Sequence, residues 1–136
     1  MRRTRPFAWL SFLLAVAACG GASAVPAPVA PVSSEPIAPY FTTPQATRGQ
    51  SVFTTVCSTC HGRNEFAGPI FGLTWRAEPL VNLYEQVSTN MPQDRPGSLT
   101  PEQYIDVVAY LLQLNGIQPG DRELTPDVAL LTRMEW

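Results

Sequence analysis

The sequence predicts an all-α domain with long loops over residues 43–136, preceded by a leader and a proline-rich tether. Helical starts are marked by threonine–proline pairs at Thr43-Pro44, Thr100-Pro101 and Thr125-Pro126, because proline fits the first helical turn and threonine caps it. Apolar residues then recur at three- and four-residue spacing, and no β-hairpin signal or internal repeat appears. A chain of 136 residues has room for one modest domain plus appendages.

The leader comes first. Arg2, Arg3 and Arg5 form a positive segment, followed by an apolar run from Phe7 to Ala18 broken only by Ser11. That run falls short of the roughly 20 residues that span a bilayer and fits a signal peptide over residues 1–18. Val16-Ala17-Ala18-Cys19 resembles the lipobox of bacterial lipoproteins, in which the cysteine is acylated after cleavage. Ala22-Ser23-Ala24 is a rival site for ordinary cleavage. Either reading places the domain in the periplasm, and acylation of Cys19 would hold it at the outer face of the cytoplasmic membrane. Residues 19–42 carry Pro26, Pro28, Pro31, Pro36 and Pro39. No helical or strand period survives that density, so this stretch reads as an extended linker.

Four helical pieces follow within residues 43–136. The first starts at Thr43-Pro44 and runs through Gly49, Val52, Phe53 and Val56 on one face. Residues 61–79 show little periodicity and read as a long loop, a length that is unusual in a small domain unless the loop wraps something. The second piece starts at Pro79 and places Leu80, Leu83, Tyr84 and Val87 at helical spacing. The third opens on the capping box Thr100-Pro101-Glu102-Gln103, continues through YIDVVAYLLQL and stops at Asn115-Gly116. A short fourth piece begins at Thr125-Pro126-Asp127.

Charge narrows the function classes. All nine basic residues are arginine, against 11 acids. Removing residues 1–18 takes away three arginines and no acid, leaving six against 11, a net charge of −5. A lysine-free acidic chain lacks the clustered cations that bind phosphate backbones, so no nucleic-acid partner is expected. The absence of lysine also excludes a Schiff-base nucleophile and a docking face built from lysines.

The chemistry is concentrated in Cys57-Ser58-Thr59-Cys60-His61, the C-x-x-C-H signature of c-type haem attachment. Two thiols add to the two vinyl groups of the porphyrin, and the next residue supplies a proximal imidazole. A structural zinc site needs four ligands, and Cys57, Cys60 and His61 supply three, with no second cysteine pair or histidine. A thioredoxin-like redox pair needs a βαβ setting that the sequence does not offer. One covalent haem c is therefore the expected cofactor. His61 is the sole histidine, so bis-histidine ligation within the chain is excluded. Met91, in Asn90-Met91-Pro92 between the second and third helices, is the candidate sixth ligand; Met134, near the C-terminus, is the alternative.

Taken in order, these features resemble class I monohaem cytochromes c, across essentially all of residues 43–136. The resemblance implies a fold of helices and long loops wrapped around one haem. It implies that Gly49 and Phe53 on the first helix cross Tyr110 on the last. It further implies that the Pro69 carbonyl in Gly68-Pro69 accepts the His61 N–H, and that Phe71 and Trp75 line the haem, Trp75 reaching a propionate. The stretch MPQDRPGSLTPEQYIDVVAYLLQLNG, with Pro119-Gly120 and Glu123-Leu124 after it, is similar to cytochromes paired with quinoprotein dehydrogenases.

The expected function is one-electron transfer by a His/Met-ligated haem rather than enzymatic catalysis. Expected partners are a quinoprotein or other dehydrogenase, a quinol-oxidising complex and a terminal oxidase. Two alternatives remain at this level. One is a peroxidase-like haem enzyme or a sensor with an open sixth site. The other is a permanent cytochrome subunit of a membrane dehydrogenase or oxidase complex.

Overall fold

A computed structural model describes residues 37–136; the expected cleavage sites, Cys19 and most of the tether lie outside those residues. The regular structure described is helical: α1 (Thr43–Thr55), α2 (Pro69–Trp75), α3 (Leu80–Asn90), α4 (Pro101–Leu114) and α5 (Val128–Leu131), with 3₁₀ turns at Cys57–Thr59 and Arg63–Phe66. Among the described residues no strand forms, and a lone parallel bridge joins Ile37 to Met134.

α4 is the centre of the fold. Every residue from Tyr104 to Leu112 is buried, the pattern of a helix packed on all sides rather than along one stripe. Its start is the expected capping box: Gln103 N–H donates to Thr100 Oγ1 at 3.2 Å, and Thr100 N–H donates to Gln103 Oε1 at 2.9 Å. Its end is a Schellman turn, with Gly116 N–H donating to the Gln113 carbonyl and Ile117 N–H to the Leu112 carbonyl. Gly116 sits at φ 87°, which glycine adopts without strain.

α1 crosses α4 at Gly49. A Cβ placed on Gly49 would run into the Asp106 carbonyl oxygen and stand 3.0 Å from Tyr110 Cβ. The Phe53 and Tyr110 rings meet beside this crossing, with centroids 5.5 Å apart. Arg48 on α1 donates to both oxygens of Asp106 on α4, at 2.8 and 3.0 Å, and to Glu123 at 3.0 Å. Buried Gln45 exchanges two 2.8 Å hydrogen bonds with the Leu124 backbone. The segment after α4 is thereby tied back to α1.

Three details differ from the sequence expectation. α1 is capped by Thr42, whose hydroxyl accepts from Gln45 N–H at 3.2 Å, which places Pro44 one position further into the first turn. Residues 37–42, read as linker, pack on the domain, and Phe41 is fully buried. The stretch 61–79, read as loop, contains α2 and the Arg63–Phe66 turn. α2 has seven residues, about two turns, too few to display a helical period. Gly68 at φ 91° turns the chain into it, with Pro69 in the first turn.

The C-terminal residues pack into the fold. Met134 is fully buried in the core, and its carbonyl accepts from Leu80 N–H at 2.8 Å. α3 therefore begins under the last residues of the chain.

Candidate functional site

A cavity of about 1080 Å³ opens between the end of α1, α2, the end of α3 and one face of α4. Cys57, Cys60, His61, Trp75 and Met91 all line it. Its walls are mostly apolar, including Phe53, Phe71, Leu83, Val87, Val107 and Leu111. Gln93, Asp94 and Arg95 form a polar stretch of its lining after Met91. Pockets that hold organic ligands are typically apolar with a few placed polar groups, at about 300–1,000 Å³.

The thiols are brought together by local geometry. In a 3₁₀ turn the side chains at i and i+3 eclipse, so the Cys57–Thr59 turn sets Cys57 and Cys60 on one side. Cys60 N–H and His61 N–H both donate to the Cys57 carbonyl, at 3.2 and 3.0 Å, which closes the backbone of the motif into a compact turn. Both cysteines are free thiols. Burial pushes the Cys57 thiol above its ordinary pKa. A redox-active C-x-x-C pair requires the opposite shift, since its nucleophile is the thiolate.

His61 is held on two sides. Its Nδ1 lies 3.0 Å from Glu65 Oε2, and its ring packs edge-on to Phe66 with centroids 5.2 Å apart. Glu65 is itself fixed by Gly62 N–H, which donates to Oε1 at 2.6 Å. The contacts with His61 and then Gly62 hold the Glu65 carboxyl below the ordinary carboxylate range. Phe66 continues an aromatic row to Phe53, at 5.5 Å, and Phe71, at 5.7 Å. The Phe66 carbonyl accepts from Asn115 Nδ2 at 2.7 Å, which pins this turn to the end of α4.

The expected hydrogen bond from His61 to the Pro69 carbonyl is not the one formed. Pro69 opens α2, where carbonyls of the first turn are directed at N–H groups four residues on. It lines a separate concavity with Gly68, Gly72, Leu73, Arg76 and Ala77. Trp75 lies on the other side of α2, facing the main cavity, with its ring 6.2 Å from that of Phe71.

Met91 follows the last residue of α3, and its N–H donates to the Val87 carbonyl at 3.2 Å. The Met91 carbonyl accepts from the hydroxyl of buried Tyr104 at 2.7 Å, and that hydroxyl also accepts from Leu99 N–H at 3.3 Å. Tyr104 thus ties the loop after α3 to the first turn of α4. Met134 does not line the cavity, being sealed in the core away from it.

Glu65, Phe66 and Tyr104 were not marked by the motif. Glu65 stands four residues after His61, a spacing that signals a contact only once the chain is known to be helical there.

The residues fit a covalent haem. The cavity is large and mainly apolar, it holds two unpaired thiols and one imidazole from adjacent positions, and a thioether enters from another element. Among the described residues no group of three or more His, Cys, Asp or Glu side chains is arranged to hold a bare metal ion. A model of the family described as cytochrome C oxidase, cbb3-type, subunit III matches residues 44–111, which is 68 of the 136 residues. No curated protein and no solved structure matches the chain.

Proposed function

Because the chain belongs to this family of cytochrome c domains, which bind haem c covalently and carry electrons, we propose that Cys57 and Cys60 would hold the haem and that His61 and Met91 would ligate its iron. The observation that carries the reading is the convergence of all four side chains on one apolar cavity. Bound haem supplies a one-electron Fe(II)/Fe(III) couple. The protein's residues do the rest. The aliphatic and aromatic walls make the site mainly apolar, which favours a high potential. Phe66 fixes the plane of the imidazole, and Tyr104 fixes the backbone that presents the thioether. Trp75 lines the same space and is the candidate donor to a propionate.

No described helix is long and apolar enough to cross a membrane. The arginine-rich leader supports export, with Cys19 as a lipid anchor or Ala24 as the last residue removed. The domain then passes electrons in the periplasm from a quinoprotein or other dehydrogenase, or a quinol-oxidising complex, to a terminal oxidase. Ile70 and Leu73, on the outward face of α2, are 82 % and 83 % exposed beside the cavity wall made by Phe71 and Trp75. Transient redox contacts are small, and an exposed apolar pair suits one.

Met91→Ala tests this reading. The expected product retains covalent haem by intact mass, loses its six-coordinate spectrum and binds added imidazole readily. Met91→His should stay six-coordinate at a lower potential, since imidazole favours Fe(III) more than thioether does. An unchanged spectrum and potential in Met91→Ala would remove Met91 from the iron. The mass of the mature chain also reads which N-terminus export leaves.

A further inference from the structure

Resting on the assignment of His61 to the iron, we propose that Glu65 is the positioning residue for that histidine: its carboxylate takes the Nδ1–H of the ligated imidazole and lowers the haem potential below what a neutral acceptor would set. An imidazole has two ring nitrogens, and the hydrogen bond made by one determines which tautomer offers the other to a metal. Nδ1 of His61 lies 3.0 Å from Glu65 Oε2, which leaves Nε2 for ligation.

The Glu65 side chain is 57 % exposed, yet both of its carboxylate oxygens are engaged. Its second oxygen accepts Gly62 N–H at 2.6 Å, closing the start of the Arg63–Phe66 turn. Phe66, the next residue, packs against the same imidazole. One short turn therefore holds both the ring plane and the Nδ1 partner. The Pro69 carbonyl, a neutral acceptor, stands at the start of α2 and faces other surroundings.

Charge makes the difference functional. A hydrogen bond to a carboxylate is stronger than one to a carbonyl, and it raises the basicity of the metal-bound imidazole. A more basic ligand favours Fe(III) over Fe(II). Glu65 thus opposes the upward pull of the thioether and the apolar walls on the potential.

The test uses the full haem-loaded protein. Glu65→Gln should raise the midpoint potential, and it should do so more than Glu102→Gln, which removes one charge from a carboxylate outside the cavity lining. His61 is the sole histidine, so ¹⁵N-histidine labelling reports this ring alone. The Nδ1–H resonance of the reduced protein should move upfield in Glu65→Gln and exchange faster in Glu65→Ala. A variant with covalent haem and an intact six-coordinate spectrum, but with unchanged potential and resonance, would overturn the role of Glu65. A wild-type protein lacking covalent haem, or lacking a haem-shifted histidine signal, would instead overturn the ligand assignment beneath it. If the variants fail to mature, the wild-type protein decides. A nuclear Overhauser effect from His61 Nδ1–H to the Glu65 side chain supports the proposal, and its absence refutes it.

Discussion

Tyr104 shows how much one hydroxyl can hold. It is buried, donates to the Met91 carbonyl and accepts from Leu99 N–H. Tyr104→Phe leaves both backbone groups without that partner inside the protein. Both hydrogen bonds are part-buried, so the loss is their net worth, about 0.5–1.5 kcal/mol each, and the denaturation midpoint should fall accordingly. The ring remains, so the fold should survive. With Met91 as ligand, the loosened loop should also let added imidazole displace the thioether at lower concentration than in the wild type. Equal imidazole affinity in the two proteins would show that Tyr104 supports stability alone.

At the scale of elements, the α1–α4 crossing is the most demanding contact. The backbone of Asp106 lies where a Gly49 side chain would be, and a backbone carbonyl cannot swing aside as a side-chain end can. Gly49→Val should separate the helices and cost at least the roughly 1–3 kcal/mol of ordinary overpacking. Loss of the Arg48–Asp106 pair and of the Phe53–Tyr110 contact would follow. Gly120→Ala is the control, because a Cβ there meets nothing within 4 Å. It should change stability by no more than about 0.5 kcal/mol. Urea unfolding of the two variants measures the contrast; similar losses would mean that the crossing tolerates a wider spacing.

At the scale of the molecule, distant segments close the fold. Ile37 N–H donates to the Arg133 carbonyl at 2.7 Å, and Glu123 joins Arg48 in the bridge to Asp106. The Arg48 guanidinium holds the Glu123 carboxyl below its ordinary value of 4.5. A lowered carboxylate pKa gives stability that is full above the unfolded value and is lost as pH falls through the folded one. The difference in Tm between wild type and Glu123→Gln should therefore be constant above about pH 5 and close progressively at lower pH. Exposure of the pair makes that difference small and salt-sensitive. A difference that persists unchanged well below the lowered value would show that the amide, not the lost charge, is responsible.

Helix type, the main caps and the attachment motif were legible from residues near one another in the chain. Thr100 with Gln103 caps α4, Gly116 ends it, and Cys57, Cys60 and His61 are neighbours in sequence; such features rest on short-range geometry that sequence displays directly. The acidic balance and the lack of a second histidine are likewise properties of the sequence alone. Other features depended on residues remote in sequence meeting in space. The burial of Met134, the pairing of Gln45 with Leu124, and the hold of Tyr104 on Met91 have no local signature. α2 was hidden because two turns carry too little period, and its direction depends on how Gly68 turns the chain. The partner of His61 was the subtlest case. Both Glu65 and Pro69 lie within eight residues of it, and only the tertiary path decides between them. The 3₁₀ turn folds Glu65 back onto the ring, while α2 carries Pro69 away.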